Sequence, residues 1–160
     1  MAKKGHNYKQ KALSVAPVRH LLRKANTWTI RATPGAHAST TCIPLGFVVR
    51  DMLQLAKTLK ETKHILHTGD VHVDTQTRRD LGFGVGLFDT VSIVSTKKNY
   101  RLLYDQKGRL IAKEVSASEA NVKPAKVLRK TLAKGNKLHL QTHAGRVYAT
   151  ETKTNVGDSI

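Results

Sequence analysis

The first 50 residues contain no aspartate or glutamate, and the first acid is Asp51. Over that span stand Lys3, Lys4, Lys9, Lys11, Arg19, Arg23, Lys24, Arg31 and Arg50. A segment with charge of one sign only has no internal ion pairs to form, and its self-repulsion opposes compaction. Residues 1–42 are therefore expected to be a basic extended arm that orders on a polyanion. The plainer alternative is a solubilising tail, but Pro17, Trp28 and "PGAH" read as docking points rather than low complexity. The whole chain repeats the bias, with 28 Lys+Arg against 11 Asp+Glu and a formal charge of +17. Nucleic acid is the polyanion this excess most directly implies, and an anionic membrane surface comes second.

Several classes fall away. No apolar run reaches the roughly 18 to 20 residues of a membrane span. "MAKKGHNYKQKALSV" is basic but lacks the apolar stretch of a signal peptide, so an intracellular protein is expected. The single Cys42 excludes an internal disulfide framework and a cysteine-based zinc cluster. A length of 160 residues allows one large or two small domains, and 39% hydrophobic content supports a modest core.

"PLGFVVRDMLQLA", residues 44–56, places Val48, Val49, Met52, Leu53 and Ala56 at helical spacing, with Pro44 suited to a helix start. Thr58 and Glu61 have capping-box spacing, so a second helix is expected from about residue 59, with Gly69 closing it. On that helix Lys60, Lys63, His64 and His67 recur at i, i+3, i+4 and i+7 and share a face. The H-x-x-H pair raises a metal site. Two lysines on the same face repel a dication, however, and neither acid nor cysteine completes the ligand set in sequence. Histidines on a polar helix face are the bland reading, and phosphate or base contacts are the functional one.

"DVHVD" alternates like a half-buried strand and leads through a turn to Arg78 and Arg79. The glycines of "LGFGVGLFD" precede a strand, "TVSIV", which is the wrong order for a dinucleotide fingerprint. A sharply turning loop that carries Leu87 and Phe88 into the core is expected there. Beyond residue 97 the pattern is all-β. "YRLLYDQKGRLIAKEV" and "KLHLQTHAGRVYATE" read as hairpins turning at 105–108 and 143–146, joined by "SASEAN" as a polar connector. This stretch forms a second basic module, and Lys97, Lys98 and Arg101 at its start join the candidate RNA-binding set.

The order of helix, capped helix, glycine, "V-x-V-D", basic pair, Gly-rich loop and "D-x-V-S-I" resembles the alpha-L RNA-binding fold. The stretches "PGAHASTTCIPLGFVVRDMLQLAKTLKETKHILHTGDVHVD", "GVGLFDTVSI" and "NYRLLYDQKGRL" narrow the resemblance to the e-type S4 family (S4e) of the archaeal and eukaryotic small ribosomal subunit. The likeness runs from about residue 3 to 160, and "IPL" leans towards the archaeal form. It implies an α+β chain: the basic arm over 1–42, an alpha-L domain of two helices and a small sheet over 43–96, and a central all-β domain over 97–160. A KOW barrel follows in the family pattern and has no counterpart in these residues. The implied role is structural, without catalysis, cofactor, metal, membrane or small-molecule substrate. The implied partners are small-subunit rRNA, in its 5′ domain, and neighbouring small-subunit proteins, in cytoplasmic ribosomes. The RNA-contacting helical face falls on Arg50, Lys57, Lys60, Lys63 and His64, and the hairpin adds Arg78 and Arg79. Where the family commonly has Gly-Lys at the hairpin turn, Thr75-Gln76 stands here, so a wider loop and one lost lysine contact are expected.

Two other classes compete. Pseudouridine synthases carry an alpha-L domain but need a catalytic domain of roughly 150 residues beside it, and 66 follow "TVSIV" here. A free-standing RNA chaperone is the other.

Overall fold

The computed structural model describes residues 9–133, 137–150 and 154–160, apart from the side chains of Lys137 and Thr150. It is a mixed helix-and-sheet protein. Lys3 and Lys4 lie outside the described residues.

The best-defined helix is α2, Leu59–Thr68, whose start matches the capping-box expectation. The Thr58 hydroxyl accepts from the Glu61 N–H at 3.2 Å, and the Glu61 carboxylate accepts from the Thr58 N–H at 3.2 Å and the Lys57 N–H at 2.8 Å. Gly69, at φ +87°, ends the helix in the left-handed region where glycine costs least. The helix before it is shorter than its periodicity suggests. α1 spans only Leu45–Phe47 and widens into a π turn over Val48–Met52, where the Leu53 N–H bonds the Val48 carbonyl at 2.9 Å. Leu45 to Val49 are all buried, so this piece is held by packing on every side rather than by one apolar stripe. Gln54, at φ +54°, then turns the chain towards Thr58.

Five antiparallel strands form the main sheet in the order β5-β4-β7-β8-β9. They are β4 (Val71–Val73), β5 (Gln76–Thr77), β7 (Thr90–Ile93), β8 (Lys98–Tyr104) and β9 (Leu110–Val115). Val71, Val73, Val91, Leu102 and Leu110 leave the sheet on its inner side and meet Val48, Val49 and Leu66 in one core. Strand pairing is continuous across residue 97, because β7 pairs with β8 from Thr90↔Arg101 to Ile93↔Lys98. The β8–β9 hairpin turns at 105–108 as its sequence suggests, with Gly108 at φ +69°.

The β4–β5 turn corrects the expected wider loop. It is a two-residue turn at Asp74-Thr75, with φ of +49° and +69° and Val73 directly opposite Gln76. Aspartate is among the few residues that tolerate this region, and tertiary bonds hold Asp74 there. Its N–H donates to the Thr90 carbonyl at 2.9 Å, and its Oδ1 accepts from the Thr90 N–H at 3.0 Å.

The segment from residue 9 to 42 also differs from a free extended arm. β1 (Lys9–Lys11) pairs with β2 (Trp28–Ile30), Ala12 and Val15 are buried, and the Val18 carbonyl accepts from the Leu110 N–H at 3.0 Å. The segment then crosses the Gly-rich loop, whose β6 (Gly84–Val85) pairs with β3 (Ile43–Pro44). Gly82, Gly84 and Gly86 serve that crossing and not a sharp turn. A Cβ on Gly82 would lie 2.8 Å from Thr33 Cγ2, and one on Gly86 would lie 2.5 Å from the His37 ring. Leu87 packs against the core as expected, whereas Phe88 stands edge-on to His143, 6.2 Å between ring centres.

After the one-turn α3 (Ala117–Ala120), capped by Ser116 and Glu119, a separate antiparallel sheet comprises β10 (Val127–Ala133), β11 (Lys137–Thr142) and β12 (Val147–Thr150). The β11–β12 hairpin matches the sequence reading; strand β10 was not expected. A partly buried ionic junction ties this part to the rest. Lys123 bridges the carboxylates of Asp74 (2.6 Å) and Asp89; Arg146 reaches Asp74 at 3.1 Å, and His37 reaches Asp89 at 2.9 Å.

Candidate nucleic-acid interface

The elements converge on a cavity of about 490 Å³ between the β1–β2 ribbon, the π turn, α2 and the segment 79–81. Trp28, Ile30, Leu59 and Leu81 supply its apolar surface, and Lys9, Arg50, Lys63, His67 and Arg79 its cations. Asp80 is the acid among its lining residues. The helix period delivers Lys63 and His67 together, four residues apart on the exposed side of α2, while Thr62 and Leu66 face the core. Trp28 reaches the cavity because strand alternation buries its neighbour Thr29 and leaves the indole 56% exposed.

The cations differ in how far they are engaged. The Arg50 Nε and Nη2 donate to the Asp51 carboxylate at 3.0 and 2.8 Å, which offsets part of that charge. No ion pair or side-chain hydrogen bond among the described residues ties down Lys63, His67 or Arg79. Arg79 is exposed after the β4–β5 hairpin, its guanidinium close to Gly69 at the end of α2. Arg78 instead lies over the Phe83 ring at 4.5 Å and donates to the Gln76 side chain. The pair "RR" is thus split into one packed and one presented arginine.

Lys57, Lys60 and His64 are exposed at the start and on the outer face of α2. Lys97 and Lys98 are exposed at the β7–β8 turn, near the C-terminal end of α2, where the Val94 N–H bonds the Asp70 carbonyl at 2.9 Å. Lys98 lies 3.6 Å from Glu114, a pairing that exposure makes weak. Lys11, Arg23 and Arg31 line a second, broader groove of about 1400 Å³. That groove shares Lys9 and Trp28 with the first, so the β1–β2 ribbon forms a basic ridge between the two. Lys24 is exposed on the loop leading into β2.

Besides Arg78, two sequence candidates leave the presented surface. Arg19 is buried at 6% exposure; its guanidinium donates to the Ile30 carbonyl at 2.9 Å and lies 5.5 Å from the centre of the Phe47 ring. Burial lowers its pKa to about 10, so it stays charged at neutral pH and fixes the arm internally. Arg101 donates from Nη2 to the Glu119 and Val122 carbonyls and so ties down the end of α3. In a strand or loop sequence nothing distinguishes such anchors from surface arginines. Conversely, Trp28 and His67 were not assigned to the site. The signal for His67 was its place on the same helix face as Lys63.

Of the histidines between residues 60 and 80, His64 and His67 lie on α2 and His72 on β4, opposite Ser92. Among the described residues, no three His, Cys, Asp or Glu side chains gather as a cation site would need, and no helix is long and apolar enough to cross a membrane.

The comparisons agree with this picture. Residues 96–160 match the model of ribosomal family S4e. The chain is 40% identical over 151 residues to small ribosomal subunit protein eS4 of Archaeoglobus fulgidus, covering 94% of this chain and 63% of the relative. It is 42% identical over 147 residues to small ribosomal subunit protein eS4 of Methanocaldococcus jannaschii, covering 91% and 59%. The crystal structure of the 30S ribosomal protein S4e from Thermoplasma acidophilum superimposes with a TM-score of 0.60 at 34% identity, over 72% of this chain and 59% of that one. The chain therefore spans about three-fifths of the length of these relatives. The chain is thus similar to the eS4 proteins along most of its length, and its residues 96–160 match ribosomal family S4e.

Proposed function

We propose that this protein is a structural constituent of the small ribosomal subunit that binds and stabilises small-subunit rRNA, in the 5′ domain, beside neighbouring small-subunit proteins in the cytoplasm. The observation that carries the reading is the concave, cation-lined surface in which Lys63, His67 and Arg79 have no side-chain partner among the described residues while an indole stands exposed beside them. Phosphates satisfy such donors and release counterions as they bind. An aromatic face at the same place suits a base. The names of the eS4 relatives support the same role. No catalysis, cofactor or metal enters this reading.

On this reading α1, the π turn, α2 and the β4–β5 hairpin constitute the alpha-L unit within 43–96, and 97–160 the central β domain. Lys9, Lys11, Arg23, Lys24, Arg31, Arg50, Lys57, Lys60, Lys63, His64, Arg79, Lys97 and Lys98 are its phosphate-facing residues. The test is cosedimentation with small subunits through high-salt gradients. The protein should remain with the subunit; its loss at salt that leaves other small-subunit proteins in place overturns the assignment.

A further inference from the structure

The cavity beside Trp28 has more shape than phosphate neutralisation needs. A stripe of cations tracking a backbone can be flat, whereas this surface encloses about 490 Å³ and has an apolar side. That volume falls within the roughly 300–1,000 Å³ of small-molecule sites. Two features define what fits. The indole of Trp28, 56% exposed, offers a ring face, and Leu59 and Leu81 extend the apolar surface. Lys63, His67 and Arg79 stand around it with no ion pair or side-chain hydrogen bond among the described residues.

A flat aromatic ligand with a flanking anion answers both. Paired A-form RNA cannot supply one, since its bases are stacked inward; an extruded nucleotide can. We propose that this cavity receives one unpaired nucleotide of the bound RNA, its base stacked on Trp28 and its phosphates on Lys63 and Arg79. This rests on the rRNA-binding reading and specifies how that surface selects its site. It makes the protein a reader of a bulged or looped residue rather than of duplex backbone alone.

Trp28 is the only tryptophan in the chain, so its emission reports this cavity and the groove that adjoins it at the same residue. The probes are two RNA duplexes of equal length and sequence, one perfectly paired and one with a single-nucleotide bulge of 2-aminopurine, with AMP as a free nucleotide. The bulged duplex should bind about 5- to 100-fold more tightly than the paired one, the range expected of stacking one base on an aromatic ring. Binding should quench both Trp28 and 2-aminopurine emission. Trp28→Ala should bind the bulged duplex correspondingly more weakly, and Trp28→Phe, which keeps a ring, should regain most of that loss. Circular dichroism of both variants establishes that they fold. Equal affinity for the two duplexes, with no quenching specific to the bulge, overturns the proposal while leaving rRNA binding in place. Quenching by AMP at the concentration at which the bulged RNA acts also overturns it, since the cavity would then serve a free nucleotide. Failure to bind either duplex or small-subunit rRNA overturns the underlying reading itself.

Discussion

Asp89 is the residue whose loss should most damage the architecture that presents the cavity. Its carboxylate is buried at 3% exposure and serves three segments at once. Oδ2 accepts from His37 Nε2 at 2.9 Å and from the Gly86 N–H at 2.8 Å, and Oδ1 from Lys123. Removing one member of a buried ionic network costs about 3–5 kcal/mol. Lys123 keeps Asp74 at 2.6 Å, so Asp89→Ala should sit near the lower end, about 3 kcal/mol. For a chain of this size that lowers Tm by about 6–12 °C. The pH dependence follows from the carboxyl's own environment. Burial pushes its pKa up, but the His37 hydrogen bond and charge, Lys123 and the Gly86 N–H outweigh this and leave it below the usual value of 3.8. A group whose folded pKa is depressed stabilises above its unfolded pKa, about 3.9, and that stability is lost as pH falls through the folded value. Urea denaturation of wild type and Asp89→Ala from pH 7 to pH 3 should show a constant gap down to about pH 4.5 and a narrowing one below it. A gap under about 0.5 kcal/mol at pH 7, the size of an ordinary surface change, refutes the reasoning, as does a gap that does not narrow in acid.

Three further outcomes are expected. Binding to small-subunit rRNA should fall with salt at a log–log slope of about −5 to −9, for about 6 to 10 phosphates neutralised; a slope shallower than about −2, measured by filter binding, places the charge away from the interface. Arg79→Ala should weaken RNA binding with Tm unchanged. Arg78→Ala, which loses the packing on Phe83, should lower Tm instead, and thermal melts alongside binding curves separate the two. Gly86→Ala, with its Cβ 2.5 Å from the His37 ring, should destabilise by about 1–3 kcal/mol in equilibrium unfolding, whereas Gly35→Ala, with nothing within 4 Å, should be neutral.

Local signals in the sequence were read correctly because the groups that satisfy them are close in the chain. Thr58 and Glu61 cap α2 from three residues apart, Gly69 ends it, and both β hairpins turn where Gly108 and Gly145 allow positive φ. What stayed hidden is long-range. β1–β2 and β3–β6 are strands of two or three residues whose partners lie 17 to 42 positions away, too short for alternation to register. The Asp74-Thr75 turn depends on Thr90, and the anchoring of Arg19 on Ile30 and Phe47. The lack of acids before Asp51 suggested an arm that stands off, yet Arg19 and His37 find their acceptors elsewhere, in a backbone carbonyl and in Asp89. The glycines at 82, 84 and 86 were the legible trace of this packing. Alternate residues without side chains leave a strip on which another segment can lie closely.

The placement of the acids explains how so basic a chain both folds and keeps its charge for a partner. Glu61 and Glu119 are taken up by the backbone N–H groups of helix starts. Asp74 and Asp89 are taken up by the junction with Lys123, Arg146 and His37. Asp158 accepts from the Asn155 N–H at 2.8 Å. Asp80, the acid beside the cavity, accepts from the Gly82 N–H at 3.0 Å and holds the loop under Thr33. Each of these carboxylates is bound to a group that the fold must satisfy in any case. Arg50 is paired with its neighbour Asp51. The few acids thus stabilise the scaffold from within or at element ends, and among the described residues none of them pairs with Lys63, His67 or Arg79. An added acid on α2, as in Lys60→Glu, would leave the caps and the junction intact and act on that potential alone, which is why RNA affinity should respond to it and stability should not.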